Sequence, residues 1–170
     1  MNEGIDALRG IALNAPNQAL GTVVLDTNIV LDVFLFQDPR TEALRRQLFS
    51  KQVVWVATAH MRNELERVLT YAHIATKLTF YQLQAQDILC QFDRWASIHA
   101  ATVTKAPYAC KDTDDQVFID LACALAGRSL QTDFKATLAR VTLLSKDKAV
   151  LSMRKRLLQL SVCVSSGDVT

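Results

Sequence analysis

Four short apolar runs rich in β-branched residues, Val23 to Leu25, Val53 to Ala57, Val141 to Leu144 and Val162 to Val164, alternate with longer stretches of helical periodicity, and this alternation constrains the fold more than any other feature. Neighbouring parallel strands need a crossover of a dozen or more residues, so strand followed by helix, repeated, predicts a parallel sheet. The run Val53-Val54-Trp55-Val56-Ala57 has no polar alternation, as expected of a strand covered on both faces. The prediction is an α/β fold, a three-layer αβα sandwich with a central mostly parallel sheet and right-handed crossovers. A chain of 170 residues, half of them hydrophobic, can bury one substantial core. No repeat or linker divides it, so residues 22–170 read as a single domain and residues 1–21 as an N-terminal arm or short helix.

Local signals place the helices. Ile29 to Phe36 reads as a helix or turn, and Asp38-Pro39 as the start of a helix to about Ser50. Thr58 caps a helix to about Thr70, and Thr79 opens a longer amphipathic helix carrying Leu83, Ile88, Leu89 and Phe92 on one stripe. A short strand is expected around Ala101 to Val103. Thr113 and Gln116 have capping-box spacing at the head of a helix from Asp114 to about Ala126. The polar segment Arg128 to Ala139 gives no assignment, and Ser145 caps a helix to about Leu158.

The net charge of +2 makes contact with a polyanion a matter of local clustering, not of the whole field. Cys90, Cys110, Cys123 and Cys163 are scattered without a C-x-x-C pair, which suits reduced core residues better than zinc ligands or disulfides. With no basic-then-apolar leader and no run near the roughly 18 apolar residues of a membrane span, the expectation is a soluble, cytoplasmic protein with no membrane partner.

The acids are what the strand pattern does not explain. Asp26 follows the first strand directly, where a buried carboxylate is costly unless it caps a helix or meets a cation. Glu64 lies beside the apolar face of the helix that follows the second apolar run, a position that plain solvation also explains. Asp112, Asp114 and Asp115 gather where a helix starts; the macrodipole accounts for one acid, while three repel one another unless a cation relieves them. Asp147 follows the strand ending at Leu144 and could equally be a first-turn acid. The carboxyl edge of a parallel sheet is where ligands bind in open α/β folds, and all four positions fall there. Oxygen donors without nearby His or Cys select Mg²⁺ or Mn²⁺ over zinc.

In four blocks the sequence resembles the PIN-domain family of metal-dependent ribonucleases, which includes toxin components of bacterial toxin–antitoxin pairs: Val-Leu-Asp-Thr-Asn at 24–28, Asn-Glu-Leu-Glu-Arg-Val-Leu at 63–69, Lys-Asp-Thr-Asp-Asp-Gln-Val-Phe at 111–118 and Ser-Lys-Asp-Lys at 145–148. The resemblance runs from about Val23 to Ser165. It implies Asp26, Glu64, Asp115 and Asp147 as the catalytic and metal-binding acids, Asp112 as a further metal ligand, and Thr27, Asn28 and Ser145 as hydroxyl or amide groups that orient them. Two departures stand out. Ala149 and Lys146 occupy positions where relatives often carry an acid and a glycine, and the stretch between Ala126 and Val141 lacks the usual short glycine-bearing turn.

On this reading the site hydrolyses RNA phosphodiesters by metal-activated water, with Mg²⁺ or Mn²⁺ as cofactor. The RNA would need a basic rim, for which Arg62, Lys146, Lys148, Arg154, Lys155 and Arg156 are candidates, although helix solvation explains any one of them. Two alternatives remain open: a degenerate RNA- or protein-binding module, and a phosphatase with Asp26 as nucleophile, for which Asn28 stands where a second acid would be wanted. A toxin would need an antitoxin partner. The apolar surface of Ile29, Val33, Phe34 and Phe36 is either core or a homodimer contact.

Overall fold

The computed structural model describes residues 21–129 and 141–167. The expected N-terminal arm, and all but the first two residues of the unassigned segment 128–139, lie outside them. The five strands are β1 (Gly21–Leu25), β2 (Val53–Ala57), β3 (Ala96–Ile98), β4 (Val141–Leu144) and β5 (Val162–Ser165), and they form one sheet in the order β3-β2-β1-β4-β5. Every pairing is parallel, as the alternation required.

Between the strands run α1 (Thr27–Phe34), α2 (Glu42–Phe49), α3 (Ala59–Leu69), α4 (Ala72–Phe80), α5 (Ala85–Trp95), α6 (Gln116–Ser129), α7 (Lys148–Ser152) and α8 (Arg154–Leu158). The architecture is a three-layer α/β sandwich with the core on both faces of the sheet. Val24, Ile29, Leu143 and Val162 have no exposed surface, and Trp55 stacks on Phe34 at 6.0 Å and meets Phe92 edge-on at 4.8 Å. Ile29, Val33 and Phe34 are buried in this core and Phe36 packs against it, so that helix surface is interior and is not a dimer contact.

Several expected boundaries hold for the expected reasons. The Thr58 side chain accepts the Met61 N–H at the head of α3, and Asp38 accepts the Arg40 N–H ahead of a 3-10 turn, Pro39–Thr41, that leads into α2. Others differ. Thr79 does not open a helix but lies in the last turn of α4; Gln82 takes a positive φ of 56° after it, and Gln84 with Asp87 forms a capping box that starts the expected amphipathic helix later, as α5. The third strand is Ala96–Ile98, directly after α5, and the expected strand at 101–103 is irregular backbone. α6 begins at Gln116 without the Thr113 capping box; the Gln116 amide is turned instead to the loop before it. Asp147, not Ser145, caps α7, and the expected single helix to Leu158 is broken at Met153.

Of the four cysteines, all unpaired, only Cys110 is buried; Cys123 and Cys163 are half-buried and Cys90 is exposed on α5, contrary to the expectation of core positions. No helix among the described residues is long and apolar enough to cross a membrane.

Candidate functional site

Order in the sheet reverses between β1 and β4, since β1 continues to β2 on one side while β4 continues to β5 on the other. Such a switch point opens a crevice at the carboxyl ends of the strands. There the Asp26 N–H donates to the Leu144 carbonyl at 3.0 Å, extending the β1–β4 ladder by one bond. Asp26 is only 3% exposed and serves two purposes. One oxygen accepts the Asn28 N–H and caps α1, while the other accepts the Ser145 hydroxyl at 2.6 Å across the switch point. Ser145 is fully buried, and its oxygen also accepts the Asp147 N–H at 3.0 Å, so one hydroxyl fixes two acids. The Thr27 hydroxyl donates to Glu64 at 3.4 Å and draws α3 to the same crevice. Asn28 donates its backbone N–H to Asp26, whereas the resemblance implied an orienting side-chain amide, and its side chain is exposed.

The remaining acids arrive from the loop before α6 and from the turn after β4. Carboxylate oxygens of Asp112, Asp115 and Asp147 lie within 4.8 Å of one another. Asp112 also accepts the Asp114 N–H at 3.0 Å, which folds the loop, and Asp147 accepts the Ala149 N–H at 2.6 Å as the cap of α7. Burial raises the pKa of Asp26 above the usual carboxylate range, and burial together with the Asp26 charge raises that of Glu64. Asp115 is pushed up to about 7, first by burial and then by the charges of Asp26, Asp147, Asp112 and Glu64. Asp115 therefore feels the charges of the other four acids. One oxygen of Asp115 is buried with no hydrogen-bond partner. An oxygen-only donor set, three of its members within reach of one ion and one oxygen orphaned, fits a hard divalent cation. Asp114, the third acid of the run, stands apart from the triad and is exposed.

The candidate basic rim is thinner than the sequence suggested. Arg62 forms a two-pronged ion pair with Asp93 of α5, at 2.6 and 2.8 Å, which ties α3 to α5 and takes that guanidinium out of the candidate set. Lys146 turns back to the buried Asp32 of α1 and lies 3.8 Å from Asp38, so its charge is engaged within the fold although the side chain is partly exposed. Arg154 donates to the Val164 carbonyl at 3.1 Å. Lys148, Lys155 and Arg156 remain exposed, without a salt bridge to any described residue.

The supporting roles of Gln116 and Asp120 were not visible in the sequence. Gln116 accepts the Cys110 N–H at 2.6 Å and donates to the Tyr108 carbonyl at 3.2 Å and to Asp120 at 2.8 Å. Asp120 in turn accepts the Ala106 N–H at 2.8 Å. The two side chains, one turn apart on α6, lace down the loop that delivers Asp112. Their i,i+4 spacing on a helix that starts with acids was the only available signal. Asp32, a buried acid on an otherwise apolar helix face, was a visible irregularity that points to its partner, Lys146.

The fold and this crevice define an α/β protein with an acidic site at the sheet switch point. The sequence matches the model of the PIN domain over residues 22–134, about two thirds of the chain, and the protein belongs to that family. PIN domains are generally nucleases, typically use divalent metals and commonly bind RNA. The matched stretch contains Asp26, Glu64, Asp112 and Asp115, whereas Ser145 and Asp147 come from the chain beyond it. No curated protein matches the chain.

Proposed function

We propose that this protein is a Mg²⁺- or Mn²⁺-dependent endoribonuclease acting in the cytoplasm as the toxin of a toxin–antitoxin pair. The observation that carries the nuclease reading is the orphaned, buried oxygen of Asp115 amid four other carboxylates. Mutual repulsion of that kind is relieved by a proton or by a cation, and a hard divalent cation satisfies several of these oxygens at once. Asp112, Asp115 and Asp147 would hold the ion, with Asp112 a full member of the set. Asp26 and Glu64 line the same crevice, oriented by Ser145 and Thr27. A bound ion supplies a water of lowered pKa and neutralises charge on the scissile phosphate. The chain's own groups set the geometry: the Ser145 hydroxyl holds Asp26, the Asp147 cap fixes the turn, and Lys148 lies one residue beyond it to meet the RNA backbone.

The toxin role comes from the sequence resemblance, and its partner would be an antitoxin covering the crevice. The phosphatase alternative is disfavoured because Asp26 is buried, has both oxygens engaged and faces other carboxylates, an arrangement that repels a phosphate monoester. The degenerate-module alternative rests on the missing acid at Ala149, whose backbone N–H caps Asp147 as that of almost any residue would, and on the altered stretch between Ala126 and Val141, and the cleavage assay decides it.

The test is cleavage of labelled single-stranded RNA in Mn²⁺, Mg²⁺ or EDTA by the wild type, Asp115→Asn and Asp26→Asn. Metal-dependent cleavage lost in both variants is expected, with growth arrest on expression of the wild type alone. Undiminished cleavage by the variants, or no binding of millimolar Mn²⁺ by the wild type, refutes the proposal.

A further inference from the structure

Next to the acidic cluster, and sharing Glu64 with it, a cleft of about 380 Å³ opens between α3 and the start of α6. That is the size class of small-molecule sites. His60, Asn63 and Arg67 lie on successive turns of α3 along one wall, and Asp114 and Val117 form the other. Among the described residues the exposed side chains of Asn63, Arg67 and Asp114 have neither a hydrogen bond nor a salt bridge, although the Arg67 charge acts on Glu64, so the cleft presents polar groups open to a ligand beside the apolar side chain of Val117.

Those groups define what fits. Two carboxylates, Glu64 and Asp114, line the cleft and make it a poor seat for a phosphate. Asp114 can only accept hydrogen bonds and Arg67 can only donate them, while the amide of Asn63 does both. A flat heterocycle with paired N–H donors on one edge and paired acceptors on another meets all three. Among the RNA bases only guanine has that pattern. Its N1–H and N2–H form a parallel donor fork that a carboxylate accepts in bidentate fashion, and its O6 and N7 form the acceptor pair that arginine most often reads. Adenine and cytosine each set one amino donor beside a ring acceptor, which would face a carboxylate oxygen. Uracil sets a single imide N–H between two carbonyls.

We propose that this cleft is a base subsite selecting guanine in single-stranded RNA. Asp114 accepts from N1–H and N2–H, Arg67 donates to O6 and N7, Asn63 completes the edge contacts, and the ring lies against Val117. The reading rests on the nuclease assignment for its biological purpose, because the shared Glu64 places the bound nucleotide beside the acidic cluster. It also gives Asp114 a use that membership of the metal triad does not.

The test separates binding from turnover. Guanosine, adenosine, cytidine and uridine, which carry no phosphate for the carboxylates to repel, are titrated into the metal-free wild type, Asp114→Asn, Arg67→Met and Asn63→Ala, followed by amide chemical shifts, and cleavage positions are mapped on random-sequence RNA in Mn²⁺. Guanine binding at least about tenfold tighter than the other bases is expected, the factor that one bidentate contact supplies. That preference should fall toward unity in Asp114→Asn and Arg67→Met with unchanged spectra elsewhere, and wild-type cuts should flank guanines. Equal binding of all four nucleosides, no binding, or a guanine preference that survives Asp114→Asn overturns the proposal. Guanine-selective binding without RNA cleavage refutes the nuclease reading and leaves the subsite standing. Cleavage without base preference does the reverse.

Discussion

Replacing Lys146 with methionine removes an ammonium group from a stem of similar length and leaves Asp32 unpaired. The Asp32 side chain keeps only 10% of its surface exposed, and its one ion-pair partner among the described residues is the Lys146 ammonium, which is itself 33% exposed. Breaking a fully buried pair costs about 3–5 kcal/mol and an exposed one about 0–1 kcal/mol. A buried acid facing a partly wetted lysine falls between these limits, so the expected loss is about 2 kcal/mol. In a protein of this size each 1 kcal/mol moves the melting temperature by roughly 2–4 °C, which gives a fall of about 4–8 °C. The pair also joins α1 to the turn that carries Ser145 and Asp147, so loosening it should weaken divalent-ion binding as well. The assay is denaturant and thermal unfolding of Lys146→Met, Asp32→Asn and the double variant. If the pair acts as described, the double variant is more stable than the sum of the single losses implies, by about the 2 kcal/mol of coupling. Strict additivity, or a loss below about 0.5 kcal/mol in Lys146→Met, would refute the reasoning.

Asp115→Asn should raise the stability of the metal-free protein at pH 8 while abolishing any stabilisation by Mn²⁺. The sign follows from its pKa of about 7 in the folded protein against 3.8 for the free side chain: the folded state binds the extra proton, so this group's contribution to stability is full at low pH and lost as pH rises through about 7. Melting curves at pH 5 and pH 8, with and without Mn²⁺, measure it, and identical pH dependence in wild type and variant would be the contrary result. Ser145→Ala strips Asp26 of its 2.6 Å hydrogen bond and leaves a buried acceptor wanting, at a cost of about 1–3 kcal/mol. Supporting groups of this kind alter metal affinity by about 10- to 100-fold, so isothermal titration with Mn²⁺ should show weakening of that order, and wild-type affinity would contradict the role assigned to the hydroxyl.

Much of the crevice could be read before any coordinates, because each acid sits at an element boundary that local rules place. Asp26 ends an apolar run and Asp147 follows another, and in a parallel sheet every such boundary lies at the same edge. The cations could not be read in the same way. Arg62, Lys146 and Arg154 look as free in sequence as Lys148, and only the packing of α3 on α5, α1 on the β4 turn and α8 on β5 engages the first three. Long flexible side chains choose partners by tertiary proximity, which periodicity does not encode. The same limit explains Thr79 and Gln116. Both satisfy a local capping rule, yet the chain broke at Gln82, and the Gln116 amide found better partners in the loop at 108–110.

The sequence by itself determined the parallel α/β class, the burial of the central strands and the gathering of carboxylates at one sheet edge, since all three follow from period, β-branching and strand-end position. Tertiary structure decided which three acids come within reach of a single ion, that Asp114 turns away from them into a cleft, and that Lys146 neutralises Asp32 instead of facing solvent. Those outcomes depend on loop paths and side-chain contacts between elements up to 114 residues apart, as Lys146 and Asp32 are. Electrostatic repulsion and desolvation act only on the distances that folding creates.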